Sequence, residues 1–370
     1  MSKTPRTLNP DELAAFGSEI EALRARTVAT LGERDARYIR NVLKAVRFTE
    51  IAGRALLMVG AFLPQTWLIA CWVLGAFTLG ISKILDNMEL GHNVMHGQFD
   101  WMGDPHLQGK TFEWDIVGTS DNWRKTHNFR HHTYTNIHGM DDDLGYGVLR
   151  LFPEQPWSPG RLGQPLYALI FALYFQWGVA IQDLRIGRFF LGRVTGRQLF
   201  EQFKPVGRKM RHQLIKDYLI WPLLAGPGFL TVFTGNLVAN GLRNLWTYTI
   251  IFCGHFTTEV HTFPKSVLKT DTRAHWYLRQ ILGSSNLAGG KLLNIMSGNL
   301  SHQVEHHLFP DVPANRYAEM AVEVRAICQR YGIPYNTGSL GRQFGQVLWR
   351  ILRHSFPSRP TKVRATLQAS

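Results

Sequence analysis

Hydrophobic and polar residues divide the chain into a charged first part and long apolar stretches that follow it. The first part carries the signals that start a helix. Asn9 is suited to cap the helix, Pro10 fits its first turn, and Asp11 and Glu12 complement the positive end of the helix dipole. The pattern predicts an amino-terminal helical segment over residues 1–47.

No charged residue occurs from Ala55 to Ile81. One continuous helix across this stretch could cross a bilayer, for which about 20 apolar residues suffice. Alternatively, Pro64 marks the turn of a hairpin with spans near 48–63 and 66–86, which leaves Arg54 near one end, where its side chain would need to snorkel.

A second apolar region covers roughly residues 217–256 and contains a Thr-Gly-Asn interruption at 234–236. This interruption predicts a turn between two further spans, near 217–234 and 237–254. Arg243 then lies nearer the turn than the centre of its span.

The placement of charge favours two hairpins. The run from 187 to 216 carries eight Lys and Arg residues against one acidic residue, whereas both predicted turns carry no Lys or Arg. By the positive-inside rule the turns lie outside, and the termini, residues 87–213 and everything after 257 lie in the cytoplasm. The stretch 166–181 is short and predicts a buried or interfacial helix.

These patterns predict an all-α, polytopic membrane protein with four transmembrane helices in two hairpins and a cytosolic helical cap. The alternative is a soluble α protein with long buried helices. The sequence further predicts a carboxy-terminal segment over 336–370, formed by a helix and a disordered tail.

Composition narrows the class of partner. The 370-residue chain is 45% hydrophobic and has a net charge of +14, which indicates an anionic membrane surface, a phosphorylated small molecule or nucleic acid as partner. Nucleic acid is disfavoured because the chain has no zinc-finger spacing, no heptads and no basic arm. Three scattered cysteines exclude a disulfide framework, and the polar first ten residues do not resemble a signal peptide.

Three short clusters hold eight of the 15 histidines. A single His-x-x-x-His pair is more often a surface pair than a metal site. Three clusters beside predicted spans, however, are difficult to explain as solvated faces. Adjacent histidines diverge by about 100° on a helix, so such pairs suit ligands of two different ions. The clusters are GHNVMHG (His92, His96), HNFRHH (His127, His131, His132) and SHQVEHHLFP (His302, His306, His307).

The number and type of donors predict a binuclear site. Imidazole binds iron, zinc, copper or nickel, and eight or nine nitrogen donors exceed the needs of one ion. His255 is a further candidate ligand, because a titratable group at membrane depth is usually functional. The carboxylate-bridged di-iron pattern requires two Glu-x-x-His motifs, and only Glu89 to His92 fits it.

Acidic residues near the clusters are candidates to orient the ligand histidines through hydrogen bonds. Glu89 lies one helical turn before His92, and Glu305 lies within the third cluster. Asp142, in a run of three aspartates, follows the second cluster. The alternative for this run is a capped turn before Gly145.

The three clusters, flanked by paired hydrophobic stretches, resemble the histidine boxes of the membrane fatty acid desaturases over about residues 50–335. The similarity is greatest to bacterial acyl-CoA Δ9 desaturases and to front-end acyl desaturases, whose third box reads Q-x-x-H-H-L-F-P. The resemblance implies a desaturase domain over 48–335 with a di-iron centre, which uses O₂ to remove two hydrogens from an acyl chain. It also implies the metal ligands His92, His96, His127, His131, His132, His255, His306 and His307.

One ligand position is open between two neighbouring residues. His302 completes a His-x-x-x-His-His spacing, whereas Gln303 occupies the first place of the family's third box. We favour His302 because imidazole is the stronger donor, which leaves Gln303 near the metal without binding it. Asn299 is a weaker candidate, to hold a metal-bound water.

The resemblance implies long-chain acyl-CoA as substrate, desaturated at Δ9. Electrons must come from a separate protein, because the chain contains neither a GxGxxG fingerprint nor the His-Pro-Gly-Gly motif of a fused cytochrome b5. The positive charge would attract an acidic ferredoxin, a ferredoxin reductase-type protein or cytochrome b5. The alternatives are a membrane di-iron hydroxylase of alkyl or lipid substrates and a front-end acyl-lipid desaturase. A histidine-lined metal transporter is disfavoured because its spans would carry more polar residues.

Overall fold

The computed structural model describes residues 6–358, and its first helix begins where the sequence signals place it. Helix α1 is Pro10–Ala29, and the Asn9 side chain accepts a hydrogen bond from the Glu12 amide while the Glu12 carboxylate accepts one from the Asn9 amide. Helix α2, Glu33–Gly60, continues without a break across the predicted boundary at residue 47, which stays a prediction.

The first apolar stretch forms two helices, as the hairpin alternative predicts. Helix α3, Gln65–Ile84, follows α2 after a four-residue turn and packs along it. The packing is close, because a Cβ atom added at Gly53 would lie 2.6 Å from the backbone nitrogen of Leu79. The prolonged helical stretch Gln65–Met95 is the one helix of the described chain that is long and apolar enough to cross a membrane by itself.

The middle of the chain folds into a bent pair of helices and a basic helix. Helices α4 (Gln164–Leu173) and α5 (Phe175–Asp183) replace the single helix predicted at 166–181 and are bent by 98°. Together the pair is long and apolar enough for a broken span or a re-entrant loop. Helix α6 (Gly196–Ile215) carries much of the predicted basic run.

The predicted turn at 234–236 is wrong, because helix α7 runs continuously over Phe229–His255. The chain turns earlier, at Gly226–Gly228, where Gly226 has a positive φ of 52°. The residues of the expected turn serve helix packing instead. A Cβ atom at Gly235 would lie 2.4 Å from Leu57 Cδ2, so the glycine lets α7 approach α2.

Two arginines expected near the ends of spans are buried. Arg54 does not snorkel: its guanidinium bonds Glu50 and lies 3.6 Å from the Asp217 carboxylate. Arg243 lies near the middle of α7, and Lys83 forms a 2.7 Å ion pair with Asp217. Between the helices, Asp217 thus offsets the charge of Lys83 and, with Glu50, that of Arg54, whereas Arg243 donates to the side-chain oxygen of Asn244.

The rest of the chain forms a cap that holds the third histidine cluster. Strands β1 (Asn286–Ala288) and β2 (Thr337–Ser339) pair in parallel and attach the carboxy-terminal segment to the cap. The protein is therefore mostly helical, rather than all-α as the sequence predicts. The predicted tail, residues 359–370, lies outside the described residues. The cap helices are α8 (Arg273–Leu282), α9 (Gln303–Leu308), α10 (Tyr317–Tyr331) and α11 (Leu340–Ser355). The shorter helical segments are Asn93–Met95, Asp100–Met102, Ser120–Trp123, His132–Tyr134, Gly145–Gly147, Pro159–Gly163, Gly187–Phe190, Lys216–Ile220, Trp221–Leu224, Lys265–Lys269, Lys291–Met296, Leu300–His302 and Ala314–Arg316.

Candidate metal centre

Part of each of the first two histidine clusters lies on a π-helical turn: His92 ends Leu85–His92, and His127 and His131 belong to Arg124–His131, which His132 follows directly. A π-helix bonds residue i to residue i+5, so its wider turn brings side chains five apart onto one side. The Nε2 atoms of His127 and His132, five residues apart, lie 3.3 Å from each other. The turns therefore aim more histidines inward than the α-helical spacing assumed from the sequence.

The structure brings eight of the nine predicted histidines together, in overlapping groups whose nitrogen atoms lie within 4.8 Å of one another. The adjacent residues His306 and His307 belong to different main groups, as the divergence of neighbours on a helix predicts. The groups are His92, His96, His127 and His306; His131, His255 and His307; and His132, His306 and His307, which links them. A fourth group joins His127, His131 and Asp143.

The ring nitrogens fit a cation between them. The Nε2 atoms of His92 and His306 lie 3.2 Å apart, and those of His255 and His307 lie 3.1 Å apart. Within the described residues, the buried Nε2 atom of His96 has no hydrogen-bond partner. Imidazoles that direct lone pairs at a common point are the donor set of a histidine-bound metal.

Burial keeps most of these rings neutral, which metal binding requires. It lowers the pKa of His127, His132, His306 and His307 well below the usual range. For His131, burial also acts to lower the pKa, but the charges of Asp141 and Asp143 outweigh it and raise the pKa to about 9.

The aspartate that orients the second cluster is Asp141 rather than Asp142. Both Asp141 oxygens lie 3.1 Å from Nδ1 of His131, and one of them also accepts the Asn136 amide. Asp142 instead accepts a 2.7 Å hydrogen bond from Nε of Arg130 rather than one from a histidine. Asp141 also accepts the Asp143 amide, so it both orients the ligand and caps the turn.

Glu89 and Asn299 are buried and bind each other. The Asn299 side chain donates to both Glu89 oxygens at 3.0 Å, and the Tyr38 hydroxyl donates to Glu89 at 2.6 Å. The side-chain nitrogen of Asn299 is therefore engaged by this carboxylate, and its role in holding a water stays a prediction.

Of the two neighbours in the third cluster, Gln303 lies in the site and His302 does not. The Gln303 amide lies 2.9 Å from Nε2 of His255. His302 precedes the first residue of α9 with a non-helical backbone (φ −106°, ψ 56°), and its Nδ1 lies 3.9 Å from Glu305. The geometry therefore favours Gln303 over His302 as the neighbour of the metal position, because only Gln303 shares the helix that aligns His306 and His307.

Other residues support the site without having been predicted. Trp123 stacks on His127 with ring centroids 4.5 Å apart, and its spacing of four residues could have indicated this. Gln280 Oε1 lies 2.9 Å from Nδ1 of His307, while the Tyr317 hydroxyl lies 3.5 Å from Nδ1 of His306. No sequence signal connects Gln280 or Tyr317 with the clusters.

A cavity leads to the histidines between the π-helical segment Leu85–His92 and helices α5 and α7. Its wall is mostly apolar, so it suits an aliphatic chain. The apolar lining includes Met88, Trp114, Ile116, Phe175, Val179 and Ile251, and the histidines that reach it are His92, His127, His131 and His255.

Comparison with known proteins agrees with this geometry. A model of the fatty acid desaturase family matches residues 66–339. An NADPH-dependent stearoyl-CoA 9-desaturase of Mycobacterium tuberculosis is 45% identical over 93% of this chain and 80% of its own length. More distant relatives are an sn-1 linoleoyl-lipid 6-desaturase of Synechocystis sp. (29% identical, 73% of this chain, 80% of the relative) and an acyl-lipid (7-3)-desaturase of Rebecca salina (28%, 71% and 59%). The chain belongs to the fatty acid desaturase family.

Proposed function

We propose that this protein introduces a double bond at Δ9 of a long-chain acyl-CoA, in an O₂-dependent reaction at a di-iron centre. The observation that carries the proposal is the double group of buried histidines at an apolar cavity. The choice of substrate is supported by the 45%-identical relative, whose name specifies stearoyl-CoA and position 9.

The histidine groups would hold the two iron ions. His92, His96, His127 and His306 surround one position, and His131, His255 and His307 surround the other. When bound, the ions supply the O₂-derived oxidant that an unactivated C–H bond requires. His132 lies against both His306 and His307 and can serve either position.

Neighbouring side chains fix which nitrogen of each ring faces the centre. The Nδ1–H of His131 donates to Asp141, and the Nδ1–H of His307 donates to Gln280 Oε1, whose own amide donates to the His132 carbonyl. Both rings therefore present Nε2 to the metal position, with the orientation and basicity that such partners confer.

The reaction converts one CH₂–CH₂ unit and O₂, with two electrons and two protons, into one CH=CH unit and two waters. The apolar cavity holds the acyl chain and excludes water from the reacting carbons. The electrons come from a separate protein, of the ferredoxin, ferredoxin reductase or cytochrome b5 class. The NADPH dependence in the name of the closely similar relative supports a reductase-linked donor.

Four spans would place the termini and the histidines in the cytoplasm. The turns at 61–64 and 226–228 would then lie outside, with α3 as the most apolar span. The division into 1–47, 48–335 and 336–370 belongs to this proposal.

The test is turnover by the purified protein with stearoyl-CoA, O₂ and an NADPH-linked ferredoxin system, together with its iron content. We expect about two iron ions per chain and a double bond at carbon 9, located by mass spectrometry. A hydroxylated product would favour the hydroxylase alternative, and turnover of lipid-bound chains alone would favour an acyl-lipid desaturase. Zinc alone, or the absence of any oxidised product, would refute the proposal.

A further inference from the structure

Four arginines cluster where the carboxy-terminal helix α11 packs against α4. One of them, Arg150, is 1% exposed and donates to neutral oxygens only. Its acceptors are the carbonyls of Gln155 (2.7 Å), Pro153 (3.1 Å), His354 (3.2 Å) and Phe356 (3.2 Å) and the hydroxyl of Ser358 (2.8 Å). Arg150 thus ties the end of α11 to the loop that precedes α4.

The second buried arginine, Arg350, also lacks a carboxylate partner at hydrogen-bond distance. Its guanidinium lies 4.3 Å from the ring centroid of Phe152 and 3.5 Å from the Leu151 carbonyl. Burial lowers the pKa of Arg350 to about 10, so it remains charged at neutral pH. Two buried guanidinium groups are therefore stabilised by carbonyl and hydroxyl oxygens and by the ring of Phe152 rather than by carboxylates.

Two further arginines at the surface add to this charge. Arg161 precedes α4, and Arg353 lies in the last turn of α11. Burial lowers the pKa of Arg150, and the positive charges of both residues lower it further. The carboxylate of Glu154 acts to raise the pKa of both Arg150 and Arg350 but forms its own contact with His138, at 3.9 Å. The sequence of residues 359–370 adds three Lys and Arg and contains no Asp or Glu.

The surface beside the arginines is apolar on both helices. Leu348, Trp349 and Leu352 form an exposed face of α11, and Phe356 follows the end of the helix; about half of each residue is accessible. On the neighbouring α4, the exposed side chains are Leu166, Tyr167, Leu169, Ile170 and Leu173. Apolar faces with a Trp or Tyr and flanking cations are typical of helices that lie in the membrane interface.

We propose that this surface binds an anionic phospholipid of the adjoining leaflet, with the phosphate between Arg161 and Arg353 and the acyl chains along α4 and α11. An anion placed there offsets the field of the two buried guanidinium groups, which the protein itself leaves without a carboxylate partner. The apolar faces favour a lipid over a free phosphate, because they would otherwise remain in contact with water.

The test measures lipid binding rather than catalysis, so it is independent of the proposed reaction. Native mass spectrometry of the purified full chain, titrated with phosphatidylglycerol or phosphatidylcholine, gives the affinity for each lipid. We expect the wild type to prefer phosphatidylglycerol, and the R161Q/R353Q variant to bind it at least about tenfold more weakly, since each cation near the surface contributes to anionic lipid binding.

Two controls separate charge from folding. R161K/R353K should retain most of the preference, and R342Q, a neutralisation at the exposed start of the same helix, should leave it unchanged. Equal phosphatidylglycerol affinity in R161Q/R353Q and the wild type, or equal affinity of the wild type for both lipids, would overturn the proposal. Displacement of the lipid by millimolar inorganic phosphate would assign the cluster to a free anion, and displacement by coenzyme A would assign it to the substrate. Either result would also overturn it.

Discussion

Nδ1 of His131 lies 3.1 Å from both carboxylate oxygens of Asp141. The bond fixes the tautomer and the orientation of a ring that belongs to two of the histidine groups. We predict that D141N lowers iron affinity and turnover by about 10- to 100-fold, as is typical of a lost partner of a metal-bound histidine. Iron content and turnover with stearoyl-CoA measure this effect.

The matched control for that prediction is D142N, one residue further along. Asp142 bonds Arg130 and Arg185 rather than a histidine, so iron content should stay close to that of the wild type. A larger loss of iron in D142N than in D141N would contradict the assignment.

Variants of the third cluster compare the roles of the neighbours His302 and Gln303. H302A should retain both iron ions and most of the activity, because the ring lies outside the histidine groups. Q303A should lower activity, because its amide lies 2.9 Å from His255 Nε2, and H306A should abolish activity. Loss of iron in H302A together with full activity in Q303A would restore the sequence-based preference for His302.

Helix packing can be tested at two glycines of α7. G235A should destabilise the protein by about 1–3 kcal/mol, because the added methyl group overlaps Leu57 of α2. G241A, in the same helix but with no atom within 4 Å of the added Cβ, should be neutral or stabilising by up to about 1 kcal/mol. Thermal unfolding in detergent compares the two variants. Adding L57A to G235A should restore part of the lost stability, because it removes the side chain that the methyl group overlaps.

The ion pair between Asp35 and Arg316 predicts a pH dependence of stability. Burial raises the pKa of Asp35, but hydrogen bonds from Arg316 and Asn315 outweigh it and hold the pKa below the usual value. A depressed carboxyl pKa stabilises the fold above the unfolded-state value of about 3.9, and the contribution is lost as pH falls through the folded-state value.

We therefore expect D35N to lower the free energy of unfolding by about 3 kcal/mol at pH 7, and the deficit to shrink as the pH falls through the depressed folded-state pKa of Asp35. Thermal unfolding across this range measures the difference. E323Q, at the exposed Arg26–Glu323 pair, should change stability by less than about 1 kcal/mol at neutral or acid pH. A D35N deficit that persists unchanged in acid would show that its origin is not the charge.

The sequence alone predicted the histidines that the structure brings together, and it favoured the first hairpin over a single long helix. Eight histidines were identified from spacing and from resemblance, because metal ligation requires particular side chains at particular separations. The turn between α2 and α3 could be predicted because Pro64 interrupts a long uncharged run, and a proline constrains the backbone locally.

Tertiary contacts decided what local signals could not. Thr-Gly-Asn at 234–236 carries the composition of a turn, yet it continues a helix because the glycine is needed where α7 meets α2. Asp141 was indistinguishable from Asp142 by composition, and only the folded loop directs it at His131.

The sequence by itself thus determined which residues are able to bind metal, since that ability lies in the side chains. The tertiary structure decided which of them meet, because π-helical turns set the direction of His127 and His132, and the start of α9 separates Gln303 from His302. Those directions depend on backbone conformations that the surrounding packing stabilises, and short patterns along the chain do not encode them.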